Sequence, residues 1–242
     1  MNAGRVAFRL GLRGMSIEAE AGLIERDIRL VREITAQGKD TRPHLHVAHI
    51  STARALEAVK QARRNGLHVT CEVAPHHFTL TDEAVGDYDT HCKMNPPLRA
   101  ETDREAMIAG LLDGSVDCIA TDHAPHAIHE KEVEFERAPN GITGLETALG
   151  LTMRLLYQQY RMPLSRIVSL LSAQPAQVFN LKGRGTLAAG SFADVVLFDP
   201  AAQWTFEAKH SKSKSKNTPF DGWKLLGKVK MTISEGRIVY RA

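Results

Sequence analysis

Chemistry is concentrated in the segment Ala120-Thr121-Asp122-His123-Ala124-Pro125-His126, followed by Lys131. It lies where a short apolar run, Val116 to Ala120, gives out, so it reads as the end of a buried strand. A carboxylate there can bind a divalent metal through one oxygen and take a proton from water through the other. Imidazoles just beyond it can hydrogen-bond an anionic substrate or carry protons near neutral pH. A second histidine-bearing strand end, His44-Leu45-His46-Val47-Ala48-His49, offers a neutral nitrogen ligand of the kind zinc accepts. The period of two puts Val116, Cys118, Ala120 and Asp122 on one side, and Leu45, Val47 and His49 on one side. If those sides face a common axis, His49 and Asp122 converge. His44 and His46 then fall on the other face, as packing or surface residues.

The elements that must position these groups can be read from pattern. Ile17 to Thr35 carries an apolar stripe of Ile17, Leu23, Ile24, Ile28 and Val31 and predicts a helix. Leu45 to Ile50 predicts a strand, and Ser51 or Thr52 caps a helix running to about Arg64 before Asn65-Gly66. Leu67 to Val73 predicts the next strand. Thr102-Asp103-Arg104-Glu105 has the form of a capping box opening a helix through Leu112, and Val116 to Thr121 predicts another strand. Residues 1 to 15, with Gly4, Gly11 and Gly14, read as loop. Gly144 to Tyr160 predicts a helix, and Pro163 to Leu181 one or two shorter ones. After Gly183 the texture becomes turn and strand, with a hairpin expected at Glu235-Gly236. Strands alternating with helices indicate an α/β parallel sheet, closed most simply as a (β/α) barrel whose functional residues sit at strand ends.

The segment from Ala120 to Lys131 resembles the second signature of the dihydroorotases, a family of cyclic amidohydrolases. The resemblance extends in order through His44 to Thr52, Thr70 to His77, Lys93 to Arg99, Asn140 to Thr147 and Asn217 to Phe220. It implies a partial (β/α)8 TIM-like barrel over residues 1–183 and a portion of a small β-sandwich over 184–242. It implies zinc, one or two ions per complete site, with His49 and Asp122 as ligands and Asp122 as the catalytic acid and base. It further implies substrate contacts from Asn95, His126 and Gly141: His126 near a carboxylate, Asn95 toward the ring amide and Gly141 through its loop. The implied reaction is reversible cyclisation of N-carbamoyl-L-aspartate to L-dihydroorotate in pyrimidine (UMP) biosynthesis. The rivals are another cyclic amidohydrolase, an allantoinase or dihydropyrimidinase, and a non-catalytic scaffold bracing aspartate transcarbamoylase. Retention of His49, Asp122 and His126 weighs against the scaffold. The family's His-x-His pair on a first barrel strand has no counterpart here, which predicts a chain inactive by itself and needing its other ligands from elsewhere.

His76-His77 is read as a supporting pair, because neighbours on a strand point to opposite sides and cannot share one ion. Glu72 is read as orienting a ligand or pairing with an Arg, and Cys118 as packing.

Composition sets the outer limits. The chain has 242 residues, 43% hydrophobic and 24% charged, with net charge +3. So small a charge, much of it in the run Lys209 to Lys216, argues against nucleic acid or a membrane surface as partner. No apolar stretch reaches the length of a membrane span, and three cysteines without C-x-x-C spacing suit a reduced, cytoplasmic setting. A small-molecule substrate is expected, with a homo-oligomer or association with aspartate transcarbamoylase left open.

Overall fold

In a computed structural model, which describes residues 1–38 and 43–242, the chain divides into two compact units. The first comprises Met1–Gly144 with Ser213–Pro219, the second Leu145–Lys212 with Phe220–Ala242.

The first unit runs α1 (Arg5–Leu10), α2 (Glu18–Ala36), β1 (Leu45–Val47), α3 (Ala53–Arg64), β2 (Val69–Val73), α4 (Pro75–Thr79), α5 (Glu101–Asp113), β3 (Cys118–Ile119) and α6 (Ile128–Lys131). The three strands pair in the order β1-β2-β3, both pairs parallel. Val69, Cys71 and Val73 are buried on one face of β2, with Val47 and Ile119 on the same side by register. Helix α2 packs on β1 and α3, and α3 on β2 and α5. Leu56, Val59, Met107, Ile108 and Leu111 supply buried side chains from α3 and α5, each worth ~1.5–3 kcal/mol when fully buried.

The opposite face is polar. Register aligns His46 with Thr70 and Glu72 with Cys118, so these four share that face. The expected facing of β1 is therefore reversed: Val47 lies on the helix side, and His46 joins Glu72 on the inner side. Cys118 faces inward as expected.

Caps explain where the helices begin and end. The Thr52 side chain accepts from the Ala55 amide, and Asp103 of α5 accepts from the Ala53 amide at 2.9 Å. Asp103 thus caps α3, and the expected capping box is not used: α5 starts at Glu101 behind Ala100, with no side-chain cap. Gly114 ends α5 at φ 84°, a left-handed position that glycine adopts without a Cβ clash. Residues 1 to 15 are not all loop. Helix α1 spans six residues and buries only Val6 and Ala7, too little for a periodic stripe in the sequence.

In the second unit the expected helix from Gly144 begins as Ala148–Thr152 and continues in a wider π-type turn, Met153–Gln159. Shorter helical segments follow between Leu164 and Val178. Strands β4 (Val195–Thr205), β5 (Lys224–Ser234) and β6 (Arg237–Arg241) form an antiparallel sheet in that order. The β5–β6 hairpin turns at Glu235 and Gly236, φ 49° and 77°, as the two-residue loop requires.

Candidate active site

All five residues singled out by sequence lie in the first unit. His49 and Asp122 follow β1 and β3 at the carboxyl ends of parallel strands. Both have left-handed backbones, φ 36° and 45°, uncommon for residues with a Cβ. Such conformations cost on the order of 1–3 kcal/mol and persist where the surroundings impose them. They also break the strand alternation. His49 therefore escapes the facing of Val47 and comes within electrostatic reach of Asp122, raising that carboxyl's tendency to ionise.

Asp122 is nonetheless held above the ordinary carboxylate range, chiefly by burial, with the negative charge of Glu72 adding to the effect. His49 Nδ1 is buried without a hydrogen-bond partner among the described residues. His76 and His77 crowd the same region. They lie in the short helix α4 rather than on a strand, with ring centroids 4.3 Å apart. Burial depresses both imidazoles, and a charge on His49 depresses them further. His77 Nε2 donates to the Pro96 carbonyl at 2.9 Å, while His77 Nδ1 and His76 Nε2 lack partners among the described residues. An unpartnered imidazole nitrogen beside a buried carboxylate crowded by a second carboxylate suits a divalent cation. The donor set present fits a metal.

The turn carrying His49 is pinned from below. Glu20 of α2 accepts from the Ser51 and Thr52 amides at 2.8 and 3.1 Å, and from both hydroxyls. Arg99, 2% exposed, donates to Glu20, Ser51, Asn2 and the Met15 carbonyl.

His126 sits in the segment after β3. Its Nε2 donates to the Asn140 carbonyl at 2.9 Å. Gly141 lies against the ring: a Cβ there would fall 2.7 Å from His126 Cδ2 and 2.7 Å from the Ala124 carbonyl oxygen. Glycine is needed for this close approach. The Gly141 amide already donates to the Lys93 carbonyl at 2.9 Å, so it spaces the loop rather than presenting a free donor. Asn95 is exposed and makes no side-chain hydrogen bond to the other four residues. Lys131, which closes the signature, is buried and donates to the Pro139 carbonyl at 2.9 Å.

Two residues carry more than their sequence context suggested. Asn217, 2% exposed, accepts from the His126 amide and donates to the Ala124 and Gly141 carbonyls. Its long sequence separation hides this, although the Asn-Thr-Pro-Phe string marked the place. His46 bonds Glu72 at 3.1 Å, and only the strand register reveals it.

The amidohydrolase family model matches residues 15–239, and the chain belongs to that family. Among curated relatives, the dihydroorotase of Geobacter sp. (strain M21) is 50% identical over 242 residues, all of this chain and 55% of that protein. That of Citrifermentans bemidjiense is 49% identical over the same span and share. The chain thus spans about half the length of the curated relatives it matches. Among solved structures, the dihydropyrimidinase from Brevibacillus agri NCHU1002 superposes with TM-score 0.84 at 27% identity, covering 93% of this chain and 49% of that one. The D-hydantoinase from Bacillus sp. AR9 gives 0.82 at 29%, covering the same shares. The parallel strands and flanking helices are accordingly part of an amidohydrolase TIM-type barrel.

Proposed function

We propose that this chain supplies the carboxyl-terminal part of a dihydroorotase, which interconverts N-carbamoyl-L-aspartate and L-dihydroorotate in pyrimidine synthesis. The observation that carries the reading is the convergence of His49 and Asp122 at two parallel-strand ends, one with an unpartnered buried nitrogen and the other with a destabilised negative charge. The identity to proteins named dihydroorotase, near 50% across the chain, selects the reaction within the family.

In this reading His49 and Asp122 hold zinc, together with ligands from outside these residues. When bound, the ion supplies a Lewis acid that polarises the ring carbonyl and acidifies water. Asp122 takes the proton from the attacking water. As the carbon–nitrogen bond breaks, Asp122 returns that proton to the departing ring nitrogen, and ring closure reverses both transfers. Burial makes Asp122 a stronger base than a solvated carboxylate, which favours the first transfer. His126 lies toward the substrate carboxylate, Asn95 binds toward the ring amide, and Gly141 sets the loop against which His126 rests. The division into a barrel portion, 1–183, and a sandwich portion, 184–242, belongs to the same proposal, as does a cytoplasmic location. No helix among the described residues is long and apolar enough to cross a membrane.

The dihydropyrimidinase and hydantoinase neighbours favour one rival, a cyclic amidohydrolase acting on another ring. Steady-state turnover of L-dihydroorotate, dihydrouracil and allantoin by the zinc-loaded protein carrying this chain decides between them. Dihydroorotate is expected to be preferred, with Asp122→Asn lowering kcat by at least ~100-fold. Preference for dihydrouracil or allantoin overturns the reading. Co-purification with aspartate transcarbamoylase, with neither turnover nor metal, makes the chain a scaffold instead.

A further inference from the structure

We propose that His46, Glu72 and Cys118 form a separate metal site, for zinc or a similar thiolate-accepting divalent ion, on the inner face of the parallel sheet. The inference does not depend on which ring the enzyme acts on. Register places the three residues side by side, one on each strand. His46 Nε2 lies 3.1 Å from Glu72 Oε2, Cys118 Sγ lies 4.0 Å from the same oxygen, and all three ligand atoms fall within 4.8 Å of one another. A tetrahedral zinc ion with bonds of ~2.0 Å to nitrogen and oxygen and ~2.3 Å to sulfur separates its ligand atoms by roughly 3.3–3.8 Å. The present spacing reaches that with shifts of under about 1 Å. Glu72 and Cys118 are buried, so neither competes with bulk water for its partners.

The hydrogen bonds around His46 allow its Nε2 to act as an acceptor. Thr70 Oγ1 stands 2.8 Å from His46 Nδ1 and 2.7 Å from His44 Nε2. One hydroxyl proton can serve only one of these rings, so the other ring must donate. With Thr70 donating to His44, His46 donates from Nδ1 and its Nε2 presents a lone pair toward the Glu72 carboxylate. In that tautomer a metal ion between the nitrogen and the carboxylate, 3.1 Å apart, would satisfy both lone pairs. Donation of the distal ring nitrogen to an oxygen acceptor is how ligating histidines are generally held. The alternative tautomer gives an ordinary His46–Glu72 hydrogen bond.

The ligand positions precede His49 and Asp122 by three and four residues. At a rise of ~3.3 Å per residue this is up to about 13 Å down the strands. The sulfur selects against magnesium and calcium. As the sulfur–metal bond forms, the Cys118 thiol releases its proton to solvent, and water fills the fourth position.

Cobalt(II) titration of the metal-free 242-residue chain tests this directly. A saturable thiolate-to-cobalt charge-transfer band in the near ultraviolet is expected, because His49 and Asp122 carry no sulfur. The band should survive Asp122→Ala and His49→Ala and vanish in Cys118→Ser. In Glu72→Gln the apparent affinity should fall at least about tenfold. Cobalt binding without the band, its survival in Cys118→Ser, or its loss in Asp122→Ala overturns the site. Should Cys118→Ser fail to fold, mass-mapped alkylation of the unaltered chain decides. Zinc slows labelling of Cys118 while leaving Cys71 and Cys92 unchanged, and equal rates with and without zinc overturn the proposal.

Discussion

Asn217 makes three side-chain hydrogen bonds, and all go to the segments that hold His126. Truncation to alanine leaves a buried amide and two carbonyls unpaired, each costing about 1–3 kcal/mol. Asn217→Ala is therefore expected to lower unfolding free energy by on the order of 3 kcal/mol in urea, and to raise KM more than it lowers kcat. Gly141→Ala acts on the same ring from the other side. The added methyl must displace His126 or the Ala124 carbonyl, so KM should rise by about tenfold and stability should fall as well. Lys131 gives a pH-dependent counterpart. Burial lowers its ammonium pKa from 10.5 to about 8, with Lys93 adding repulsion. Between those values the unfolded chain binds the extra proton, so the contribution to stability is absent below about pH 8 and grows as pH rises toward 10.5. Lys131→Met lacks this term. The stability of the unaltered chain relative to the variant should increase between about pH 7 and pH 10, measured by urea midpoints, and a flat difference would contradict the burial argument.

The turn between β1 and α3 shows how much an element can hide. An apolar stripe located α2, and start and stop signals located α3 and α5, to within a few residues, although the capping box read at Thr102 is not the one used. Strand lengths were not legible. Leu45–Val47 ends three residues early because His49 leaves the extended region, and nothing local in Val-Ala-His announces a positive φ. The facing of β1 was misread for the same reason: alternation was carried through a residue where it no longer applies. The helical setting of His76-His77 was concealed behind a β-branched strand, although Pro75 at its first turn is a helix-start signal. Of the site, the residue types and chain positions were legible, whereas Asn217, Glu20 and Arg99 act through contacts dozens of residues away. Glu20 is the element-scale test. It ties α2 to the amides of Ser51 and Thr52 and balances Arg99. Glu20→Ala removes the carboxylate bonded to the buried Arg99 guanidinium, which keeps its bonds to Ser51, Asn2 and Met15, so the cost should be at most about 3–5 kcal/mol. It should also weaken metal binding through His49, which calorimetric titration with zinc can detect separately from stability.

For the molecule as a whole, family membership was legible because motifs spread over nearly the full chain keep one order, and a match over residues 15–239 agrees. Surface behaviour was not, since it depends on which apolar residues the folded strands leave uncovered. Val196 and Leu197 of β4 and Ile238, Val239 and Tyr240 of β6 are all exposed. Strand β6 bonds only to β5, so it is an edge of its sheet among the described residues. Arg237 and Arg241 bracket its apolar centre, a charge arrangement that restrains edge pairing without abolishing it. Net charge +3 provides little long-range repulsion between copies. The purified chain should therefore self-associate as concentration rises, in a manner visible by light scattering. Val239, 63% exposed, contributes ~1.5 kcal/mol if such contacts bury it, which equals roughly a tenfold shift in concentration. Val239→Lys removes that area and adds a charge at the edge. The concentration at which association sets in should then rise by at least about tenfold, with the circular dichroism unchanged. An unchanged onset would place the sticky surface elsewhere than on β6.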